Sequence, residues 1–175
     1  MYAGDEGERT LRAARADIAF AGTVFDDAGA WLDSAMERGV PPFAAETWVV
    51  DSDLARVLLV RHRIRGWVAP GGMVENGEEP REAAARELFE ETGVEAALFV
   101  TPAAAVVRDY HPDIEPTLGL VYAALVSPDV PLRPEPGQAA RWFSLDEEWE
   151  SWFPEDRGRI LSHVERLRRA PGRPK

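Results

Sequence analysis

Between Glu46 and Phe143 short apolar runs alternate with clusters of turn-forming residues, a pattern of strands more than of helices. Glu46–Val50 and Arg56–Val60 read as two strands joined by the turn Asp51-Ser52-Asp53. Trp67–Ala69 is a third, short strand that runs into Pro70-Gly71-Gly72. The periodicity then switches. A helix is predicted from Pro80, an early helical position where proline's missing N–H costs nothing, to Thr92, with Gly93 as a left-handed C-cap. Further strands are expected at Ala97–Val100, Ala105–Asp109, Leu118–Val126 and Arg141–Phe143. Pro128–Pro136 reads as a loop and Asp156–Arg169 as a closing helix.

Upstream, Leu11–Arg38 is Ala-rich and places Ile18, Phe25, Trp31, Leu32 and Ala35 at helical spacing. Gly22 and Asp26-Asp27 divide it into two short helices, and Gly39 with Pro41-Pro42 closes the second. This hairpin is expected to cap the core; a dimer arm or an active-site lid is the alternative. The layout is a mobile polar tail at 1–9, a helical extension at 10–42, one domain at 43–170 and a tail at 171–175. Strands dominate, with one helix inside and one at the end, so the fold class is α/β with a mixed sheet, not a doubly wound parallel one.

Composition narrows the function. The chain has 175 residues, enough for one domain, and no apolar run long enough for a membrane span. The acidic start lacks a basic segment followed by an apolar one, so a soluble, cytoplasmic protein is expected. With no cysteine, disulfides, thiolate metal sites and a Cys nucleophile are excluded. A net charge of −11 opposes binding to a nucleic-acid polymer. It does not oppose a small phosphorylated ligand, because a divalent metal reverses the local field.

On the predicted helix, Glu90 and Glu91 follow Glu87 by three and four residues, so three carboxylates share one face. Oxygen-only clusters of this density suit Mg²⁺ or Mn²⁺. A solvated acidic face fits the spacing equally well. The whole segment decides between them. Gly72, Glu78, Arg86, Glu87, Leu88, Glu90, Glu91, Gly93 and Val94 fill every fixed position of the 23-residue pattern G-x5-E-x7-R-E-U-x-E-E-x-G-U, where U is bulky and aliphatic. This resembles the signature of the Nudix hydrolase family, MutT-like members included, and a chance match has a frequency of roughly 10⁻⁵.

The resemblance implies a Nudix-type α/β/α sandwich over 43–170, outside which the N-terminal extension falls. It also implies an Mg²⁺-dependent enzyme, with Mn²⁺ as a substitute, that hydrolyses the acid anhydride of a small nucleotide. Glu87, Glu90 and Glu91 match the metal-binding glutamates, any of which can serve as base. Arg86 matches the arginine that orients them through Glu78, and Gly72 and Gly93 match structural glycines. The Gly71 carbonyl is an expected further metal ligand. Glu135, between two prolines, is the candidate for a carboxylate from a late loop, and an ordinary exposed loop residue is the alternative.

For the substrate, Arg61, Arg63 and Arg65 resemble phosphate-contacting positions, and Trp67 is the candidate base-stacking ring. Tyr110 lies near where a tyrosine accompanies diadenosine polyphosphate hydrolysis. The proline of ADP-ribose enzymes and the aromatic-proline array of NADH enzymes are absent. Short, generic flanks favour nucleoside triphosphates, oxidised ones included; dinucleoside polyphosphates, ADP-ribose and nucleotide sugars are the alternatives, and a non-catalytic nucleotide sensor is the alternative of another class. A homodimer is compatible with the family. His62, His111 and His163 show no metal spacing, with His111 in a loop that could touch a ligand; Trp149 and Trp152 are expected to staple the last helix.

Overall fold

The computed structural model describes residues 4–110, 113 and 115–170. The expected tail at 171–175 and the loop residue His111 lie outside them. The elements run α1 Gly4–Phe20, α2 Ala28–Met36, β1 Phe43–Asp51, β2 Arg56–His62, β3 Gly66–Val68, β4 Gly71–Met73, α3 Pro80–Thr92, β5 Ala104–Arg108, β6 Thr117–Val126, β7 Ala140–Ser144 and α4 Asp156–Arg169. Among the described residues no helix is long and apolar enough to cross a membrane.

The sheet is mixed, in the order β3-β2-β1-β6-β5, with β4 added to β1 and β7 to β2. All nine residues of β1 are buried, because it is central and runs parallel to β6 over nine paired positions. Its other edge is shared. The C-terminal half pairs with β2 at Val49 and Val50, and the N-terminal half pairs with β4 at Ala44–Glu46. The split between β2 and β4 opens the sheet beside Glu46.

Strand alternation sends Phe43, Ala45 and Val49 to one face and Trp48 and Val50 to the other. The first face is covered by Ala14 of α1, Ala28 and Leu32 of α2, and Ala83, Ala84 and Leu88 of α3. The second is covered by Ile160 and Val164 of α4. The result is the α/β/α sandwich, with the N-terminal hairpin capping the same face as α3.

Two expectations are corrected. The polar start is helical from Gly4 instead of forming a tail to residue 9. Its polar residues are used: Arg9 bonds the Gly77 carbonyl at 2.6 Å and pairs with Glu79 and Glu82, Thr10 donates to the Glu78 carbonyl at 2.8 Å, and Asn76 donates to Glu6. Residues 97–100 form no strand. Phe99 makes one backbone bond to Ala123, and the Arg81 guanidinium takes the Phe99 and Val100 carbonyls at 2.8 and 2.6 Å, in place of a strand partner.

Candidate active site

Helix α3 carries the acidic face and is well bounded. Glu79 and Glu82 form a capping box at its start, and Pro80 occupies the first turn. Gly93 ends it at φ 72°, and a side chain there would also strike Arg133, so glycine is required twice over.

Arg86 organises the acids. Its Nε and Nη2 bind the two oxygens of Glu78, both at 2.9 Å, while Nη1 binds Glu87 at 2.7 Å and Glu90 at 3.3 Å. Nη2 also reaches the Met73 carbonyl at 3.2 Å. With every nitrogen engaged, Arg86 positions the glutamates and does not reach outward to a substrate. The Glu78 carboxyl is solvated less than in water, which alone would raise it; the bonds from Arg86 and the Glu75 backbone prevail and lower it.

Glu91 is held differently. One oxygen accepts the Gly71 N–H at 2.8 Å and the other accepts the Gln138 amide at 2.8 Å. Burial raises the Glu91 carboxyl above the usual carboxylate range despite those bonds, and the neighbouring Glu87 adds to the rise. Burial likewise raises Glu87 against the opposing pull of Arg86. Glu90 is nearly half exposed.

Strand β4 forms the wall beside these acids. Backbone bonds Thr47 N to Pro70 O and Val74 N to Phe43 O flank the β1–β4 pairing. Gly71 therefore sits at a position whose N–H and carbonyl turn away from β1. That is the edge where its N–H meets Glu91. A Cβ on Gly72 would collide with the Glu87 carboxylate, and one on Gly71 would come within 2.6 Å of the Glu46 side chain. The two glycines make a wall only one backbone thick.

On the far side of that wall, in the split of the sheet, lies a pocket of about 210 Å³ lined by Glu46, His62, Arg65, Met73 and Tyr110, among others. Its floor is charged. Arg108 of β5 lies 3.3 Å from Glu46 and 2.7 Å from Asp156 of α4, and all three side chains are over nine-tenths buried. Its guanidinium lies 4.4 Å from the centre of the Phe153 ring. Burial raises the Glu46 carboxyl, with Arg108 pulling the other way. The Arg108 guanidinium would be lowered by burial, but Glu46, Tyr110 and Asp156 outweigh that and raise it.

The remaining sequence candidates divide. Tyr110 lines the pocket, with its hydroxyl buried and without a hydrogen-bond partner. Burial raises that phenol. Arg61 and Arg63 lie on a neighbouring groove with His62, Pro136, Gly137 and Gln138. Trp67 is not brought to the pocket. Paired with Arg61 across β2–β3, it faces α4, meets Phe143 edge-on at 4.9 Å and has Arg61 and Arg141 over its ring. The side chain of Glu135 is exposed. The late loop reaches the acids through Gln138 instead. Trp149 packs against Phe143, whereas Trp152 is 44% exposed.

Gln138, Glu46, Arg108 and Asp156 were not singled out in the sequence. An acid inside an apolar β run was the one signal that pointed to Glu46.

The donor set is chemically suited to a hard divalent cation. It consists only of oxygens, burial raises both Glu87 and Glu91, and Gly72 leaves Glu87 room. Among the described residues no three acids already converge on one point. Arg86 lies between Glu87 and Glu90, so closing on an ion requires a side-chain rotation.

The model of the NUDIX domain matches residues 41–164. The chain is 45% identical over 51 residues to a putative 8-oxo-dGTP diphosphatase of Bacillus subtilis, covering 29% of this chain and 34% of that protein. It is 37% identical over 83 residues to an RNA pyrophosphohydrolase of Cereibacter sphaeroides, covering 46% and 44%. The chain thus spans between a third and a half of the length of these curated relatives. A NUDIX-family hydrolase from Clostridium perfringens shares the fold, with a TM-score of 0.60 at 20% identity over 71% of this chain and 97% of that one. With the family model covering well over half of its residues, this chain belongs to the Nudix family.

Proposed function

We propose that this protein is a metal-dependent hydrolase that cleaves the diphosphate bond of a small nucleoside diphosphate derivative, with nucleoside triphosphates, oxidised ones included, as the favoured class. The observation that carries this reading is the set of hydrogen-bonded acids on α3, one backbone thickness from a pocket of about 210 Å³. Glu87, Glu90 and Glu91 with the Gly71 carbonyl are the oxygens that would hold Mg²⁺, or Mn²⁺ in its place. Such an ion, when bound, neutralises phosphate oxygens and acidifies water.

The chain's own residues supply the rest. Arg86 Nη1 holds Glu87 and Glu90 together against their mutual repulsion. Gly71 and Gln138 fix both oxygens of Glu91, and its burial raises its proton affinity, which suits it to take the proton of the attacking water. The water oxygen attacks a phosphorus of the anhydride, the P–O bridge breaks, and the shorter nucleotide and the phosphorylated remainder depart. Arg61 and Arg63 line the neighbouring groove, and their charge suits the phosphates. Gln138, not the exposed Glu135, is the late-loop residue in contact with the acids. The charge of −11 favours free nucleotides over polymers.

Release of nucleotide or phosphate from a panel of normal and 8-oxo triphosphates, diadenosine polyphosphates, ADP-ribose and nucleotide sugars tests the reading. Efficient cleavage of a triphosphate is the expected outcome. Preference for another anhydride shifts the substrate class, and binding without any cleavage makes the protein a nucleotide sensor.

A further inference from the structure

The pocket behind β4 holds a polar feature that the hydrolytic reading does not use. Glu46 stands in the middle of the central strand, with its side chain 8% exposed, and it lines the pocket. Its Oε1 makes no hydrogen bond; Arg108 Nη2 lies 3.3 Å away, close enough for ion pairing but out of hydrogen-bond alignment. Arg108 bonds Asp156 through Nη1 at 2.7 Å and lies over the Phe153 ring, and its Nε and Nη2 likewise find no hydrogen-bond acceptor among the described residues. The result is a buried acceptor held rigidly and left unsaturated, a state that costs stability unless something else supplies donors. Arg65 lines the same pocket, and its buried Nε finds no acceptor among the described residues. The other walls are largely small and apolar: Ala44, Ala45, Ala69 and Met73.

At about 210 Å³ the pocket is smaller than the roughly 300–1,000 Å³ of sites that hold a drug-sized ligand. It suits one portion of a nucleotide. Gly71 and Gly72 belong both to its wall and to the surface against Glu91 and Glu87, so the pocket adjoins the acids along β4.

We infer that Glu46, braced by Arg108, reads the base of the substrate and selects guanine. A carboxylate offers acceptors only. Guanine alone among the common bases carries two neighbouring N–H donors, at N1 and N2, with a carbonyl beside them for Arg65. Adenine and cytosine set a ring-nitrogen lone pair next to their amino group, and uracil flanks its single N–H with two carbonyls; each brings a lone pair against the carboxylate. The 8-oxo form keeps the N1 and N2 donors, so this contact admits it as well. The inference rests on the proposed nucleotide hydrolase, but its test separates the two.

Binding of GMP, AMP, CMP and UMP to the wild-type protein is measured by calorimetry, alongside kcat/KM for GTP and ATP, and both are repeated with Glu46→Gln. The expected result is tighter binding of GMP than AMP by about tenfold or more, a preference that Glu46→Gln abolishes by giving the pocket the donor–acceptor pair that adenine matches. Equal affinity for the four monophosphates, or a guanine preference that survives Glu46→Gln, overturns the inference. Base-blind cleavage defeats the inference alone. GMP-selective binding with no anhydride cleaved defeats the hydrolase reading alone. Should Glu46→Gln fail to fold, the wild-type comparison of monophosphates decides by itself.

Discussion

Two charged clusters lie on opposite sides of β4, and they solve the same problem in opposite ways. At α3, Glu78, Glu87 and Glu90 share one guanidinium, Arg86, and their side chains still reach solvent, while Glu91 beside them is held by Gly71 and Gln138. In the interior, Glu46 and Asp156 share Arg108, and none of the three is more than a tenth exposed. The outer cluster tolerates excess negative charge because water screens it and a cation can answer it. The inner cluster must be balanced within the protein. Losing the central arginine should therefore show in stability inside and in turnover outside.

The largest effect follows from that contrast. Arg108→Met leaves two buried carboxylates without a counter-charge and should cost ~3–5 kcal/mol of unfolding free energy in a urea titration. Arg86→Met, the matching change on α3, should cost far less stability and lower turnover instead. Equal stability losses from the two would erase the distinction between the clusters.

A smaller effect belongs to the α4 face. His163 meets Trp48 edge-on at 5.7 Å, and burial beside Arg166 lowers its imidazole to about 4. The unfolded chain takes up that proton near pH 6.5 and the fold does not. Stability should therefore fall as pH drops from about 6.5 to 4, by up to ~3 kcal/mol, and the loss should level off below that. His163→Gln should flatten this limb in thermal melts recorded across the range. An unchanged acid limb would show that the carboxylates alone set it.

The smallest effect concerns the late loop. Gln138→Ala frees one oxygen of Glu91 and should reduce kcat about tenfold, with KM little altered, if fixing that carboxylate contributes as a single hydrogen bond does. A change confined to KM would move Gln138 from positioning the acid to holding the substrate.

The same contrast explains what the sequence makes legible. Glu87, Glu90 and Glu91 are tied by helical spacing and Arg86 to Glu78 by a fixed motif, so the outer cluster is readable from local order. Glu46, Arg108 and Asp156 come from β1, β5 and α4, and nothing in their spacing joins them; only the sheet does. Gln138 escapes for a related reason. The search for a late carboxylate fixes on Glu135, but the loop turns so that the amide three residues on meets Glu91. Trp67 misleads because nearness in sequence to the glycines does not say which face of β3 it occupies. The helix at the start is missed because its polar residues find partners in the Asn76–Glu82 segment, a long-range contact that composition does not reveal.

If the α3 acids hold a divalent cation for hydrolysis, as proposed, Glu91 is indispensable to it. The most direct measurement is nucleotide release from the best-cleaved substrate as Mg²⁺ is titrated, for wild type and Glu91→Gln. The account predicts activity that appears only with the ion, is abolished by a chelator, and falls at least ~10²-fold in Glu91→Gln while its melting transition persists. Cleavage that is indifferent to the ion, or that survives Glu91→Gln at the wild-type rate, would contradict it.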